Sequence, residues 1–581
     1  MTLFTPLFLY FFLPFSLGRD SFTTYPHTFL CCLSVFKSKQ SRTYQESLYT
    51  DKMFASIFVV AVICAWLLLA ATACMPRRSD VSLTSRFQHL VPVGNPNTHP
   101  WLTTAEAERA LGPTRVQWVY TTNASFVRDS LLPIQATINA NVPDAFDGIA
   151  TYNIGRIVNL WGEKITAPWM SWQPAPYYGC ANNPAYQAIV LERALRLVQP
   201  IAAGGVGSCG LQHDDPWGNY EAVGWPRGGC YCRYCTAKFT AYLLERNLTT
   251  NTTFNYTAYL LQQGGYGKGS SALRQAFVAF QGVSAAAHLQ LLQTALKASP
   301  SLQSKRCNCS FALSGNVPFW TNVTMPLDYA ISELAASDAT PTYLFQWLTE
   351  QVNGGLLPNG KKQVFTMPKQ EIITTGLKVL ARKVWALCQA LGSNMLLPWD
   401  IYLPDVPKGG QPRFYGNVSD FLDLAQFVNN NGNVLDACDA QLSSSSSIPR
   451  NSSTALWRIE AFNSDAHAEV HVEWTVRSAA SSATFVALHI VDWRWASFAN
   501  DASVVFPLPA NPATVFFIRC STSSLPAPIS AVVWLAPNGT RVSVPFIAKA
   551  AFGNGQDVTV GFNTTQEMLR PGAVMLIAWT A

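Results

Sequence analysis

The chain has 581 residues, 49% apolar and only 13% charged, which excludes a disordered polypeptide and points to two or three domains. Its 40 basic and 34 acidic residues leave a net charge of +6, with no Lys/Arg run longer than a pair, so a nucleic-acid partner is not expected. Aromatics make up 12% and include 18 Trp, which fits a large aromatic core or a wall of rings that stack on sugars.

Two hydrophobic runs open the chain, Leu3–Leu17 and Phe54–Ala73. The second follows Met53 and ends Ala71-Thr72-Ala73, the small-x-small pattern of a signal-peptidase site. Residues 1–74 therefore read as an N-terminal extension plus signal peptide, with Met53 as the true start. The second run is also about long enough to anchor in a bilayer, which is the one membrane association expected. Ten N-x-S/T sequons, at Asn123, Asn247, Asn251, Asn255, Asn308, Asn322, Asn417, Asn451, Asn538 and Asn563, suit a secreted, N-glycosylated chain. In that compartment disulfides are the default for the ten cysteines beyond residue 75, Cys307 and Cys309 among them.

Residues 75–114 read as a lead-in. From 115 to 440 short apolar strands alternate with amphipathic helices. The expected strands are Val116–Tyr120, Gly148–Tyr152, Ile165–Met170, Gly210–Asp214, Ser310–Leu313, Asp328–Leu334, Gln363–Met367 and Asn394–Trp399. Helices are expected at Ser125–Ala140, Pro184–Ala202, Ala272–Ser299, Pro341–Val352, Gln370–Leu391 and Val418–Asn429. Eight such repeats imply a (β/α)8 TIM barrel. Residues 441–455, with five consecutive serines, read as a linker. Residues 456–581 alternate polar and apolar in short runs, the pattern of a C-terminal antiparallel β-sandwich. His467 and His471 lie in one such run and suit a solvent face better than a metal site.

Barrels of this kind place active sites at the C-terminal ends of their strands. Reading the polar residue at each end gives Asp214 and Asp215, Asn316, Glu333, Lys369 and Asp400. Trp169, Trp172, Tyr177 and Tyr178 follow the third expected strand, and Trp217 follows the aspartates. Acids on the floor and aromatics on the wall suit a glycoside, whose cleavage needs one protonated carboxyl and a second carboxylate. Asp214, Asp215 and Glu333 are the expected catalytic acids. Asn316, Lys369, Asp400, Trp169, Trp172 and Trp217 would then bind substrate. His213 alternates to the other side of its strand and is expected to pack. The aspartates read equally as a helix cap or loop brace, and Glu333 as half of a barrel-mouth ion pair with Lys369.

Cys230-x-Cys232-x-x-Cys235 follows the aspartates within one loop and looks like a clamp on the site's wall. Disulfides from this cluster to Cys180 or Cys209 are one reading of it. With Gly210-Leu-Gln-His-Asp-Asp-Pro216 and Leu397-Pro-Trp-Asp400, the cysteine motif resembles the family 42 β-galactosidases and related bacterial glycosidase-like proteins. The resemblance covers roughly residues 115–435. It implies a glycosidase and a structural zinc on Cys180, Cys230, Cys232 and Cys235, with no organic cofactor. Two departures stand out. Family 42 carries Asn-Glu where this chain has Asp214-Asp215, and its strand-seven nucleophile falls at Lys369. A strand-four Asp with a strand-six acid instead resembles several α-glycosidase families. The expected function is hydrolysis of a glycosidic bond. A non-catalytic glycan-binding barrel, or a metal-dependent hydrolase using Asp214, Asp215 and Asp400, are the alternatives.

Overall fold

The computed structural model describes residues 76–77, 79–84, 111–120, 124, 127, 132–140, 153–168, 176–299, 311–317, 320–334, 343, 347, 362–366, 377–390, 393–398 and 421–437, and the later segments 457–462, 470–475, 485–492, 514–521, 529–536, 538–550, 557–564 and 574–579. The hydrophobic runs at the start of the chain, the strand expected at Gly148–Tyr152, Cys307, Cys309, His467 and the serine-rich stretch lie outside the described residues.

Eight parallel strands close on themselves. They are β1 (Ser82–Thr84), β2 (Arg115–Val119), β3 (Ile134–Asn139), β4 (Gly210–Asp214), β5 (Ala312–Asn316), β6 (Tyr329–Glu333), β7 (Lys362–Thr366) and β8 (Asn394–Pro398). Each pairs with the next in sequence, and β8 pairs back onto β1 with Ser82 opposite Leu396. The described helices are α1 (Pro184–Val198), α2 (Gly218–Ala222), α3 (Arg233–Glu245), α4 (Tyr256–Gln262), α5 (Ser271–Ala298), α6 (Leu377–Ala390), α7 (Leu422–Asn430) and α8 (Gly432–Ala437). Helix α1 links β3 to β4, α2 to α5 link β4 to β5, and α6 links β7 to β8.

Two strands differ from expectation, and the reasons are physical. Ile134–Asn139 forms β3, where the sequence reading placed the end of a helix at Ser125–Ala140. Ile134, Ala136 and Ile138 alternate with Gln135, Thr137 and Asn139, a period of two, and Pro133 blocks a helix running into them. Ser82–Thr84 forms β1 inside the expected lead-in, and three residues are too few to carry a readable period. Among the described residues, Ile165–Pro168 is not a barrel strand. It belongs to an irregular ribbon with isolated bridges Arg156–Gly179, Val158–Lys164 and Thr166–Tyr177. Strands β4 to β8 keep their expected order.

Helix α1 begins where Pro184 sits at the first turn and the Asn183 side chain accepts from the Ala185 amide. Its buried face is Tyr186, Val190, Ala194, Leu197 and Val198; of the apolar stripe the sequence offers, Leu197 and Val198 are buried and Ile189, Leu191 and Leu195 are half-buried. Arg193 is buried on that helix, 2.7 Å from the Glu192 carboxylate. Outside the strands, this face joins one large apolar core with Leu289 and Leu292 of α5, Trp320 and Trp385. Inside the barrel, Trp118, Ala312, Tyr329, Ile331, Val364 and Leu396 pack together. A polar layer shares that interior. The Tyr329 hydroxyl bonds Gln117 and Gln135, Gln135 Nε2 donates to Ser314 at 3.0 Å, and Gln363 Nε2 donates to Ser332 at 2.6 Å. These bonds pair most, though not all, of the layer's amide atoms, Gln363 Oε1 and Gln212 Nε2 being the exceptions.

Beyond the barrel, two antiparallel sheets follow. One runs β10 (Val470–Thr475), β11 (Phe485–Asp492), β17 (Val574–Trp579), β13 (Ile529–Leu535) and β14 (Arg541–Ser543). The other runs β15 (Phe546–Ala550), β16 (Asp557–Thr564), β12 (Thr514–Ser521) and β9 (Trp457–Phe462). Among the described residues no helix is long and apolar enough to cross a membrane.

A buried histidine pair marks one stability prediction. His213 on β4 and His288 on α5 meet edge-on at 6.1 Å, both 2–4% exposed. His213 Nδ1 donates to the Asp214 carbonyl at 3.0 Å, whereas neither ring nitrogen of His288 has a partner. Burial pushes His213 down to about 4 and His288 down to about 3. With folded values below the unfolded value of about 6.5, their neutral burial is without cost above that pH and loses stability as pH falls toward 4. His288→Phe should raise urea stability by about 1–3 kcal/mol through removal of unpaired polar atoms, with the larger gain at about pH 5. Equal or lower stability than wild type at both about pH 5 and about pH 7.5 would contradict this.

Candidate active site

The mouth of the barrel gathers acids from β4 and β6 around one amide. Asp214 ends β4 and is 6% exposed. Asn316, ending β5, donates its Nδ2 to Asp214 Oδ1 at 3.0 Å and to Glu333 Oε1 at 2.9 Å. Glu333 ends β6. One nitrogen therefore holds oxygens from two strands that are 119 residues apart in sequence. Two further donors reach the other oxygen of Asp214. They are the Tyr120 hydroxyl and, at 3.3 Å, Asn139 Nδ2 at the end of β3. A register shift in β2, with Trp118 at a φ of 57°, lies just before Tyr120. Bulges of this kind re-aim strand ends beside active sites.

Asp215 is the first residue past β4 and sits at a φ of 54°. An aspartate in the left-handed region is uncommon, and such conformations gather where function over-determines the backbone. The Tyr178 hydroxyl donates to its Oδ2. Burial, and after it the charge of Asp214, push the Asp215 carboxyl well above the usual carboxylate range, and the Tyr178 bond offsets only part of that rise. Glu221 of α2 adds to the field at Asp215. Burial raises Glu221 itself to about 7, and its Oε2 has no hydrogen-bond partner.

The structure thus brings Asp214, Asp215, Glu333 and Asn316 together. Trp169, Trp172, Lys369 and Asp400 lie outside the described residues. Trp217 corrects an expectation. It is 7% exposed and packs in the main core near Tyr220, so its ring is no open wall for a sugar. Tyr120, Asn139 and Glu221 were missed. The strand-end filter finds Tyr120 once it is applied to β2, and Asn139 once β3 is recognised. Nothing in the local pattern singles out Glu221.

The cysteines form a cage beside this site. The sulfurs of Cys180, Cys230, Cys232 and Cys235 all lie within 4.8 Å of one another. Cys180 Sγ is 3.4 Å from Cys235 Sγ and 3.7 Å from Cys232 Sγ. A disulfide needs about 2.05 Å, and all four are free thiols. This corrects the reading that paired them as disulfides with Cys180 or Cys209; Cys209 is itself disulfide-bonded elsewhere. Thiolates at ~2.3 Å around tetrahedral zinc would stand roughly 3.8 Å apart, so the donor set fits that ion. Amides surround the sulfurs. Asn219 Nδ2 lies 3.3 Å from Cys180 Sγ and 3.4 Å from Cys235 Sγ, Asn182 Nδ2 reaches Cys235 at 3.3 Å, and the Val158 amide reaches Cys230 at 3.5 Å. Donors so placed orient metal ligands. Gly229 lets the ribbon press on this loop, since a Cβ there would stand 2.5 Å from Ile165 and 2.7 Å from the Val158 carbonyl. Among the described residues no second group of metal-capable side chains occurs, and Asp400, the third acid of the expected metal-dependent hydrolase, lies outside them.

No protein-family model matches the chain, and no curated protein sequence does. Solved structures give similarities at low identity. Cycloisomaltooligosaccharide glucanotransferase of Paenibacillus sp., complexed with cycloisomaltoheptaose, shares 9% identity over 86% of this chain and 85% of that one, at a TM-score of 0.47. The α-L-fucosidase of Vibrio sp. strain EJY3 shares 10% over 84% and 63%, at 0.38. The glucosidase II α subunit shares 8% over 87% and 62%, at 0.35. The chain spans less than two thirds of the length of the latter two. At these scores the barrel rests on its own hydrogen-bond ladder rather than on the likenesses.

Proposed function

We propose that the chain is a glycoside-hydrolase-type enzyme that cleaves a glycosidic bond with the acids of the barrel mouth. The observation that carries this reading is the Asn316 amide held between Asp214 and Glu333, with Asp215 beside them. Asp215 is the group burial keeps protonated, and it gives its proton to the leaving oxygen as the bond to the anomeric carbon breaks. Asp214 meets the positive charge that grows on that carbon, its oxygens fixed as acceptors by Tyr120, Asn139 and Asn316, and a water then bonds to the carbon and returns a proton to Asp215. Glu333 shares the Asn316 amide and so sets where Asp214 points.

The same proposal includes a structural zinc held by Cys180, Cys230, Cys232 and Cys235, which would fix the loop after β4 and take no part in bond cleavage. It also includes secretion with N-glycosylation, and face-to-face packing of the two C-terminal sheets as a sandwich. The likeness to family 42 β-galactosidases belongs here, with the strand-four aspartates closer to α-glycosidases.

Glu333→Gln should lower sugar release on the order of 10²-fold, because the amide oxygen can still accept from Asn316 but the Glu333 charge that helps keep the proton on Asp215 is gone. Released sugar is measured on a panel of α- and β-linked glycans beside Asp215→Asn. Wild-type turnover in both variants would remove the assignment. Glycan binding by a wild-type protein that releases no sugar from any of them would leave a binding barrel instead.

A further inference from the structure

The ribbon between β3 and α1 ends in a tryptophan that nothing in the reaction uses. Trp161 is 56% exposed. Its backbone is nevertheless fixed. Asn159 Oδ1 accepts from the amides of Trp161 and Glu163, each at 2.9 Å, and Asn159 Nδ2 donates to the Glu163 carboxylate at 2.8 Å. Tyr266 stands edge-on to the indole at 5.3 Å. Its hydroxyl accepts from the Leu160 amide and donates to the Gly228 carbonyl, both at 2.8 Å, which ties the turn to the loop of the cysteine cage. Glu163 and Arg227 lie 3.6 Å apart at the same tip, 62% and 71% exposed.

A large ring held in water costs free energy unless something covers it, and a rigid aromatic loses little entropy when it is covered. We infer that Trp161 is a remote sugar-binding platform of the proposed active site. The indole would stack on the apolar face of a sugar ring, while the carboxylate and guanidinium of Glu163 and Arg227 bond its hydroxyls. The chemistry favours a carbohydrate over a second protein chain for two reasons. The rim offers a charge of each sign rather than further apolar surface. The ribbon that carries Trp161 also carries Tyr178, which donates to Asp215. From the position opposite Tyr178 to the tip, at ~3.3 Å per residue, the reach is roughly 10–13 Å, several sugar units from the reacting bond. The platform therefore selects long oligosaccharides over short ones. This inference rests on the glycosidase reading above.

The test uses the full chain carrying Asp215→Asn, which holds a glycan without cleaving it, on an array of α- and β-linked hexose oligomers of graded length. Adding Trp161→Ala should weaken binding of the long oligomers about tenfold and leave disaccharide binding unchanged, while Trp161→Phe keeps most of it. Equal binding by the Ala variant overturns the platform but not the glycosidase reading. So does a gel-filtration shift on Trp161→Ala with glycan binding intact, which would assign the ring to a second copy of the chain. No binding by the Asp215→Asn parent to any glycan, with no sugar release by wild type, overturns both.

Discussion

Asp215→Asn is expected to lower turnover of a natural glycosidic bond on the order of 10²–10⁴-fold. The amide keeps the shape and the bond from Tyr178 but has no proton to give. The pH profile separates this role from a structural one. Asp215 works protonated, and its folded value lies well above the usual range, so wild-type activity falls as pH rises through that value. The variant should lose this alkaline limb. Its deficit should also shrink on an activated aryl glycoside, whose leaving group needs no proton. Stability moves the other way. A carboxyl with a raised folded value stabilises fully only below its unfolded value near 4, and that contribution is lost as pH rises through the folded value. Near neutrality Asp215→Asn should therefore unfold at higher urea than wild type. Wild-type turnover with an unchanged alkaline limb would sink the assignment.

Loss of the four-sulfur cage should have the second large effect. Cys235→Ser is expected to abolish binding of one zinc per chain, measured on the purified protein by elemental analysis. It should cost at least about 3 kcal/mol of stability, below the ~10–16 kcal/mol of a metal-folded peptide because the barrel keeps its own core. Activity should fall with it, since one short stretch serves both features. Asn219 bonds two of the sulfurs and lies in α2, four residues after Asp215, and Tyr178 lies two residues before Cys180. Asn219→Ala should weaken zinc retention against a chelator about 10–100-fold without removing a ligand. A protein purified without zinc whose stability ignores both added zinc and Cys235→Ser would rule out the metal.

The strands that carry the acids were legible because each is a short apolar run ending in a polar residue. Gly210–Asp214 was read with its observed bounds, and Tyr329–Glu333 within the expected span. Periodicity failed at β1, which is too short, and at β3, where Gln135 and Thr137 are buried polar residues, Gln135 hydrogen-bonded inside the barrel, and read like a polar helix face. The missing β3 hid Asn139. Glu221 was illegible for another reason, since its burial depends on packing between α2 and α5 that no local pattern encodes. The cysteine spacing carried the cage, yet only coordinates could distinguish sulfurs 3.4 Å apart from a bond.

The three residues of β1 also set a limit on how far the N-terminus can be shortened. Ser82–Thr84 pairs with β2 on one side and β8 on the other, so it is the seam that closes the ring. The residues before it are tied down too. Asn394 Nδ2 donates to the Arg77 carbonyl at 2.7 Å, and the Ser79 hydroxyl donates to Asp436 at 2.6 Å. Cleavage after Ala73, as proposed for a signal peptide, would leave this seam whole. A cut a dozen or so residues later would strip β1 away and leave β2 and β8 as bare edges, the kind of surface that recruits foreign strands. A cut before or after β1 would thus decide whether the barrel is a closed ring or an open, sticky sheet.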